Sequence, residues 1–159
     1  MGGHDGSFPK NDVWVSHDGG VSWSLRLLSA GWSGRYLFSS LLLSSGSLLV
    51  IGGHAGINLK NDVWRSLDSG SSWSVLTSSA SWSARYGHSA LELSNGSLLL
   101  MGGYDGNNFN DVWVSHDGGV SWSLRLSSAG WSARRHFSSL LLSSGSLLVM
   151  GGSGGSSKN

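Results

Sequence analysis

The chain has 159 residues, with 25 Gly, one Pro, no Cys and nine Trp, and its formal net charge at pH 7 is +1. Gly and Ser disfavour helix interiors, so this composition favours short strands joined by tight turns, and the Trp residues provide a core to bury. The small charge argues against nucleic acid as a partner, and the absence of Cys excludes disulfides, thiolate metal sites and cysteine nucleophiles.

No segment has the features of a targeting signal or a membrane span. The first residues, Met1 to Asp5, lack the basic start and apolar stretch of a signal peptide. The Leu-rich runs, such as Leu48 to Ile51, are far too short to cross a bilayer. We therefore expect a soluble chain with no membrane partner, whose compartment the sequence does not define.

A short motif, an apolar residue followed by Gly-Gly, recurs along the chain. It occupies residues 1–3, 51–53, 101–103 and 150–152, and a run of Leu and Val precedes its last three copies. Such a run predicts a strand buried on both faces, which ends in glycines that let the backbone turn. The run is missing at residues 1–3, so the chain enters its first repeat midway.

A polar connection of variable length follows the motif at residues 4–10, 54–60 and 104–109, which predicts surface loops. Each copy continues with an alternating Asn-Asp-Val-Trp strand, a turn rich in Asp and Gly, and a strand that opens on Trp. These three predicted hairpins cover residues 11–23, 61–73 and 110–122.

A second connection in each copy carries a Trp and an Arg and leads into the last strand of the unit. The pairs are Trp32 with Arg35, Trp82 with Arg85, and Trp131 with Arg134. We letter the four predicted strands of the unit A (residues 36–43), B (48–51), C (62–66) and D (72–76). Their order along the chain is C-D, A-B-C-D, A-B-C-D, A-B.

The first and third copies are nearly identical. Between residues 11–53 and 110–152 there are five differences, namely Leu28/Ser127, Gly34/Ala133, Tyr36/Arg135, Leu37/His136 and Ile51/Met150. This identity indicates either recent duplication or deliberate construction.

These patterns resemble two families of β-propeller. The apolar-Gly-Gly strand end, the Asn-Asp-Val-Trp strand and the Arg-led A strand resemble kelch repeats, and residues 85–90 match most closely; Phe38 and Phe137 replace His88 in the other copies. The Ser-x-Asp-x-Gly-x-Ser-Trp turns resemble the Asp-box of sialidase-type propellers. In that family the turn is a folding device away from the active site, which implies a structural role for Asp18, Asp68 and Asp117.

The resemblance implies an all-β fold, a β-propeller of four-stranded antiparallel blades with three blade-equivalents per chain. We predict a single repeat domain at residues 1–152. Its parts are strands C-D of a split blade (1–32), complete blades (33–81 and 82–130), strands A-B of a split blade (131–152), and a Gly/Ser-rich tail (153–159).

Three blade-equivalents do not close a propeller, because closed rings have roughly four to eight blades. The C-terminal A-B strands of one chain are expected to pair with the N-terminal C-D strands of another. Two chains would then form a six-bladed ring with two-fold symmetry, so a homodimer is the expected assembly. A nine-bladed trimer is less favourable, and the chain could also be half of a longer protein.

The D-to-A and B-to-C connections lie on one face of such a ring, and this face is the predicted binding surface. Trp and Arg on one loop suit a glycan or a carboxylate, although each Trp could instead fill space between blades while each Arg caps carbonyls. The candidate residues are Trp32, Arg35, Trp82, Arg85, Trp131, Arg134, Arg135, His4, His54 and Tyr104.

Catalytic features are weak. The six His show no His-x-x-x-His spacing, so we predict neither a metal nor a cofactor. Glu92, the only Glu, lies within a predicted A strand and is expected to be a solvated channel carboxylate. We therefore expect a non-catalytic scaffold or binding module for a protein or glycan. The alternatives are a fragment of a sialidase-like or other glycan-processing propeller, or an engineered or recently amplified scaffold without a ligand.

Overall fold

The computed structural model of the protein describes residues 1–154, which form β-strands and no helix. This part of the chain therefore contains no helix that could span a membrane. The strands in chain order are β1 (Gly3–His4), β2 (Pro9–Lys10), β3 (Val13–Val15), β4 (Ser24–Leu27), β5 (Ser39–Leu42), β6 (Leu48–Ala55), β7 (Asn58–Ser66), β8 (Ser74–Thr77), β9 (Ser89–Glu92), β10 (Leu98–Tyr104), β11 (Asn108–Ser115), β12 (Ser123–Leu126), β13 (Ser138–Leu141) and β14 (Leu147–Met150).

The strands pair into two complete four-stranded sheets, two half-blades and a short separate pair, β1 with β2, and all pairings are antiparallel. Strands β5–β8 form the first full blade and β9–β12 the second, each with its strands in sequential order. Strands β3 and β4 form the N-terminal half-blade, and β13 and β14 form the C-terminal half-blade. The predicted all-β fold of four-stranded antiparallel blades is confirmed.

Strands B and C are longer than predicted because they continue into a hairpin. Strands β6 and β7 pair as far as Ala55 opposite Asn58. The ladder shifts where φ is +57° at Gly52 and +100° at Gly53, and this bulge lets the pairing continue. The surface loop predicted at residues 54–60 is therefore wrong in extent, since most of it is strand.

Strand A is shorter than predicted. The prediction runs from Tyr36 to Leu43, whereas β5 covers Ser39–Leu42 and Tyr36 makes only an isolated bridge to His54. Between them Leu37 has a φ of +55°, a left-handed conformation that interrupts regular pairing.

Backbone hydrogen bonds join successive blades at this interruption. The N–H of Gly87 donates to the carbonyl oxygen of Leu37, and the N–H of His136 donates to that of Gly87, each at 2.8 Å. Strand β9 contacts both β5 and β13. The A strands of the three blades are therefore neighbours, as expected for the strands nearest the centre of a ring.

The apolar core lies between neighbouring sheets. Trp82 and Trp122 meet edge to face between the two full blades, with ring centroids 6.2 Å apart. Trp32 and Trp73 repeat this contact between the N-terminal half-blade and the first full blade, at 6.1 Å. In each interface, the Trp of a connection into strand A meets the Trp of the C-to-D hairpin in the blade that this connection enters.

Candidate functional site

Four of the predicted binding residues are buried inside the structure. Trp32, Arg35, Trp82 and Arg85 are each at most 1% exposed. None of them is accessible to a ligand, so their assignment to the binding face is corrected. Each Trp fills the space between two sheets, which agrees with the alternative that the sequence left open.

Arg35 is held by an ion pair that sequence reasoning missed. Its guanidinium donates to both carboxylate oxygens of Asp62, at 2.6 and 2.9 Å, and to backbone carbonyl oxygens. Burial alone would raise the pKa of Asp62, but the hydrogen bonds and charge of Arg35 outweigh burial and hold that pKa below its usual value. Arg85 and Asp111 repeat the pair at 2.6 and 3.0 Å. The available signal was an Asp in each Asn-Asp-Val-Trp strand, 26 or 27 residues after the Arg.

The third Trp and Arg lie at an open edge of the molecule. Trp131 and Arg134 are partly exposed. Among the ion pairs formed within residues 1–154, none involves Arg134. Asp12, which corresponds to Asp62 and Asp111, is likewise without an Arg in the described part of the chain.

A groove of about 730 Å³ opens between the second full blade and the C-terminal half-blade. Leu98 in β10 is 0% exposed, whereas Leu147, its equivalent in β14, is 41% exposed. Strand β10 is paired with β9 on one edge and β11 on the other, whereas none of the described strands pairs with the outer edge of β14. The residues that line the groove include Leu99, Met101, Val112, Arg125, Trp131 and Leu147.

The other candidates come together in a row of rings on the predicted binding face, which we call the aromatic row. Its members in order are His4, Tyr36, His54, Tyr86, Tyr104 and Arg135. Successive ring centroids lie 4.9–5.5 Å apart. The guanidinium carbon of Arg135 lies 4.0 Å from the ring centroid of Tyr104.

All members of the aromatic row are at least partly exposed. The row therefore offers stacking surface with a cation at one end. Sequence reasoning did not include Tyr36 and Tyr86, although both occupy the same position in their repeats as Arg135.

The Asp residues of the C-to-D turns bind their own turns. Asp68 accepts from the Ser72 hydroxyl at 2.6 Å, the Ser72 N–H at 2.8 Å and the Ser66 hydroxyl at 2.8 Å. These bonds, those from Ser72 above all, lower the pKa of Asp68 to about 2. Asp18 and Asp117 make the equivalent bonds. All three carboxylates are bonded to Ser hydroxyls and backbone N–H groups of their own turns.

Glu92 connects the two full blades. Its carboxylate accepts from the Ser44 N–H at 2.6 Å and from the Ser44 hydroxyl at 2.8 Å. It is therefore bonded to a neighbouring turn, whereas the sequence predicted a lone carboxylate in solvent. Within residues 1–154, no three His, Asp or Glu side chains are grouped so that they could hold a metal ion.

Two segments of the chain correspond to the same place in the repeat. Gly3 and Gly152 are both equivalent to Gly53. The N–H of Gly3 donates to the Arg35 carbonyl oxygen at 2.8 Å, and Gly53 donates to the Arg85 carbonyl oxygen at 3.0 Å.

The tail predicted at residues 153–159 is only partly described. Ser153 forms a bridge with Arg135, with N–H to O distances of 2.8 and 2.9 Å. Residues 155–159 lie outside the described residues.

Antiparallel four-stranded sheets that pack face to face, with their first strands gathered at the centre, define the chain as part of a β-propeller. The profile of the DUF6242 beta propeller domain matches residues 33–158, which is most of the chain, and the protein belongs to this family. No curated protein is significantly similar to it.

Proposed function

We propose that the protein is a non-catalytic β-propeller module that homodimerises by pairing strands between chains and so closes a six-bladed ring. The strands of the C-terminal half-blade occupy positions A and B, and those of the N-terminal half-blade occupy C and D. The C-terminal half-blade therefore has the two strands that the N-terminal half-blade lacks, and the reverse also holds. Two chains would complete two blades, in addition to the four that they already contain.

The groove beside β14 carries this proposal. In the second full blade, the turn at Gly119 packs against Val63, Leu76 and Leu98. The equivalents of those three residues are Val112, Arg125 and Leu147, and all three line the groove. The space thus has the lining that a C-to-D hairpin covers elsewhere in the same chain, which supports the N-terminal half-blade of a second copy as its occupant.

The backbone between blades supports the same arrangement. The hydrogen bonds from Gly87 to Leu37 and from His136 to Gly87 repeat at each step along the A strands. The next step in the series would join the N–H of Leu37 in a second chain to the carbonyl oxygen of His136. That bond would be a third instance of the same pattern.

A ligand, if the ring binds one, would contact the aromatic row. Its exposed rings and the Arg135 guanidinium suit stacking and hydrogen bonding to a protein or a glycan. The sialidase-like alternative gains no support from Glu92, because that carboxylate is occupied by Ser44. The bonding of Asp18, Asp68 and Asp117 within their turns supports the resemblance to the Asp-box.

Solution mass tests the proposal. Sedimentation equilibrium across nanomolar to micromolar concentrations should give a species of twice the chain mass of 16.7 kDa. A chain that remains monomeric at tens of micromolar overturns ring closure, and a trimer would replace the six-bladed ring with a nine-bladed one.

A further inference from the structure

In each full blade, the Arg–Asp pair links the A-B half of the sheet to the C-D half. The split blade is divided between these same two halves. Arg35 precedes strand A, and Asp62 lies in strand β7, which occupies position C. Arg85 and Asp111 have the same relation in the second full blade. In the split blade the Arg belongs to the C-terminal half and the Asp to the N-terminal half.

Arg134 is held as if its carboxylate partner were present. Its Nε donates to the Ser132 carbonyl oxygen at 3.0 Å, and its two terminal nitrogens donate to the Gly151 carbonyl oxygen at 2.8 Å and to the Ser132 hydroxyl at 2.9 Å. Arg85 makes the same three bonds, to Ser83 and Gly102. The guanidinium of Arg134 is thus fixed in the orientation in which Arg85 binds Asp111.

Asp12 is held in the matching orientation. Its Oδ2 accepts from the Trp14 indole N–H at 2.9 Å. The indole N–H of Trp64 makes the same bond to Asp62, and that of Trp113 makes it to Asp111, both at 2.8 Å. In the full blades this indole bond coexists with the bidentate Arg contact, so it leaves Asp12 ready to receive a guanidinium.

We propose that Arg134 of one chain and Asp12 of a second chain form a bidentate ion pair at each of the two junctions of the ring. This inference rests on the proposed ring closure and names the contact that selects the partner. A planar guanidinium that meets a carboxylate through two parallel bonds is sensitive to angle as well as distance. Apolar surface on β14 drives association without direction, and the ion pair fixes the register in which the half-blades meet.

Charge reversal across the junction tests this pair. Arg134→Asp places two carboxylates at both junctions of its homodimer, and Asp12→Arg places two guanidinium groups there. Because an unpaired buried charge is strongly unfavourable, each variant alone should dimerise at least about a hundredfold more weakly than the unmodified chain. Mixed in equal amounts, the two variants should form a heterodimer, since one junction then holds the reversed pair and the other holds the original pair.

Native mass spectrometry of mass-labelled variants measures the two homodimers and the heterodimer in one sample. The matched control is Asp105→Arg, which makes the same charge change as Asp12→Arg at an exposed loop position. In a mixture of Arg134→Asp with Asp105→Arg, the Asp105→Arg chains should homodimerise as the unmodified chain does. The heterodimer should remain disfavoured, because one of its junctions still places two carboxylates together. Circular dichroism of each variant below its dissociation constant verifies that the chain is folded.

The outcomes separate this inference from the proposed ring. A monomeric unmodified chain overturns the ring and the ion pair together. An unmodified dimer whose single-charge variants dimerise equally well retains the ring and overturns the ion pair. Weakened variants that fail to form the heterodimer also overturn the pairing of Arg134 with Asp12.

Discussion

His88 is a buried titratable residue in a position that the other two repeats give to Phe38 and Phe137. Neither of its ring nitrogens makes a well-formed hydrogen bond within the described part of the chain. Burial, together with the positive charge of Arg85, lowers its pKa from 6.5 to about 3, and the Ile51 backbone opposes this only weakly. The ring packs 6.1 Å from Trp82, so it occupies the place of an aromatic hydrocarbon.

Replacing His88 with Phe should stabilise the fold, and increasingly so in acid. At pH 7 we expect the free energy of unfolding to rise by about 1–2 kcal/mol, because two unsatisfied nitrogens leave the core. The unfolded chain protonates His88 below pH 6.5, whereas the folded chain resists protonation until about pH 3. The unmodified protein therefore loses stability as the pH falls between those values, and His88→Phe removes that loss.

Urea unfolding at a series of pH values measures the difference between the two proteins. His17→Phe, at an exposed turn position, provides the control for the change of residue type. A constant difference between pH 7 and pH 4 would contradict the assigned burial of a neutral ring.

The ion pairs show what residue patterns could and could not predict. The recurrence of Arg35 and of its equivalents was visible, and so was one Asp in every C strand. Their contact depends on the bulge at Gly52, across which Arg35 reaches Asp62 in β7, and no local pattern specifies that contact. The sequence left the burial of Trp32 open, since a Trp in a connection has the same spacing whether it faces solvent or fills a gap.

At the scale of the element, identical hairpins have different surroundings. Trp122 is 5% exposed, whereas Trp23, in a hairpin of the same sequence, is 60% exposed. Trp122 lies against Trp82 of the preceding connection. The corresponding partner for Trp23 is Trp131, which lines the open groove and would belong to the second chain in the proposed ring.

The same substitution in the two hairpins should therefore have two different effects. Trp122→Ala should lower the free energy of unfolding by about 3–5 kcal/mol, because it empties a packed core. Trp23→Ala should leave the unfolding of the isolated chain nearly unchanged and weaken dimerisation at least tenfold.

Urea unfolding below the dissociation constant and sedimentation at increasing concentration measure these two effects separately. If Trp23→Ala destabilises the isolated chain as much as Trp122→Ala does, the N-terminal hairpin is already packed in the monomer. Equal dimerisation of Trp23→Ala and the unmodified chain would remove Trp23 from the junction.

The blade order of the whole molecule was predictable because it is carried by repetition. An apolar run, a Gly-Gly motif and an Asp turn recur in register, so even strands as short as β3 could be assigned a position. Strand limits were less predictable, because they depend on backbone conformation at single residues. Leu37 shortens strand A through a positive φ that its side chain disfavours, and Gly87 takes that conformation freely in the next blade.

Assembly of the proposed ring would require more than docking, because Gly3 and Gly152 correspond to one position. In the completed blade the Gly152 N–H would take the Arg35 carbonyl oxygen of the second chain, which the Gly3 N–H of that chain already holds. Gly3 is in turn paired with Lys10 across β1 and β2. One of the two segments must leave its place before the junction can close.

The proposed dimerisation would therefore be an exchange of strands, and the release of the segment that leaves would set its rate. We expect an association rate constant below about 10⁵ M⁻¹ s⁻¹, the lower end for rigid proteins that dock without rearrangement. A variant without residues 1–4 should associate faster, as measured by energy transfer between differently labelled chains after mixing. Equal rates for the two proteins would mean that the ends do not compete. Faster association of the shortened variant would instead identify the duplicated glycine position as the feature that sets how fast the ring closes.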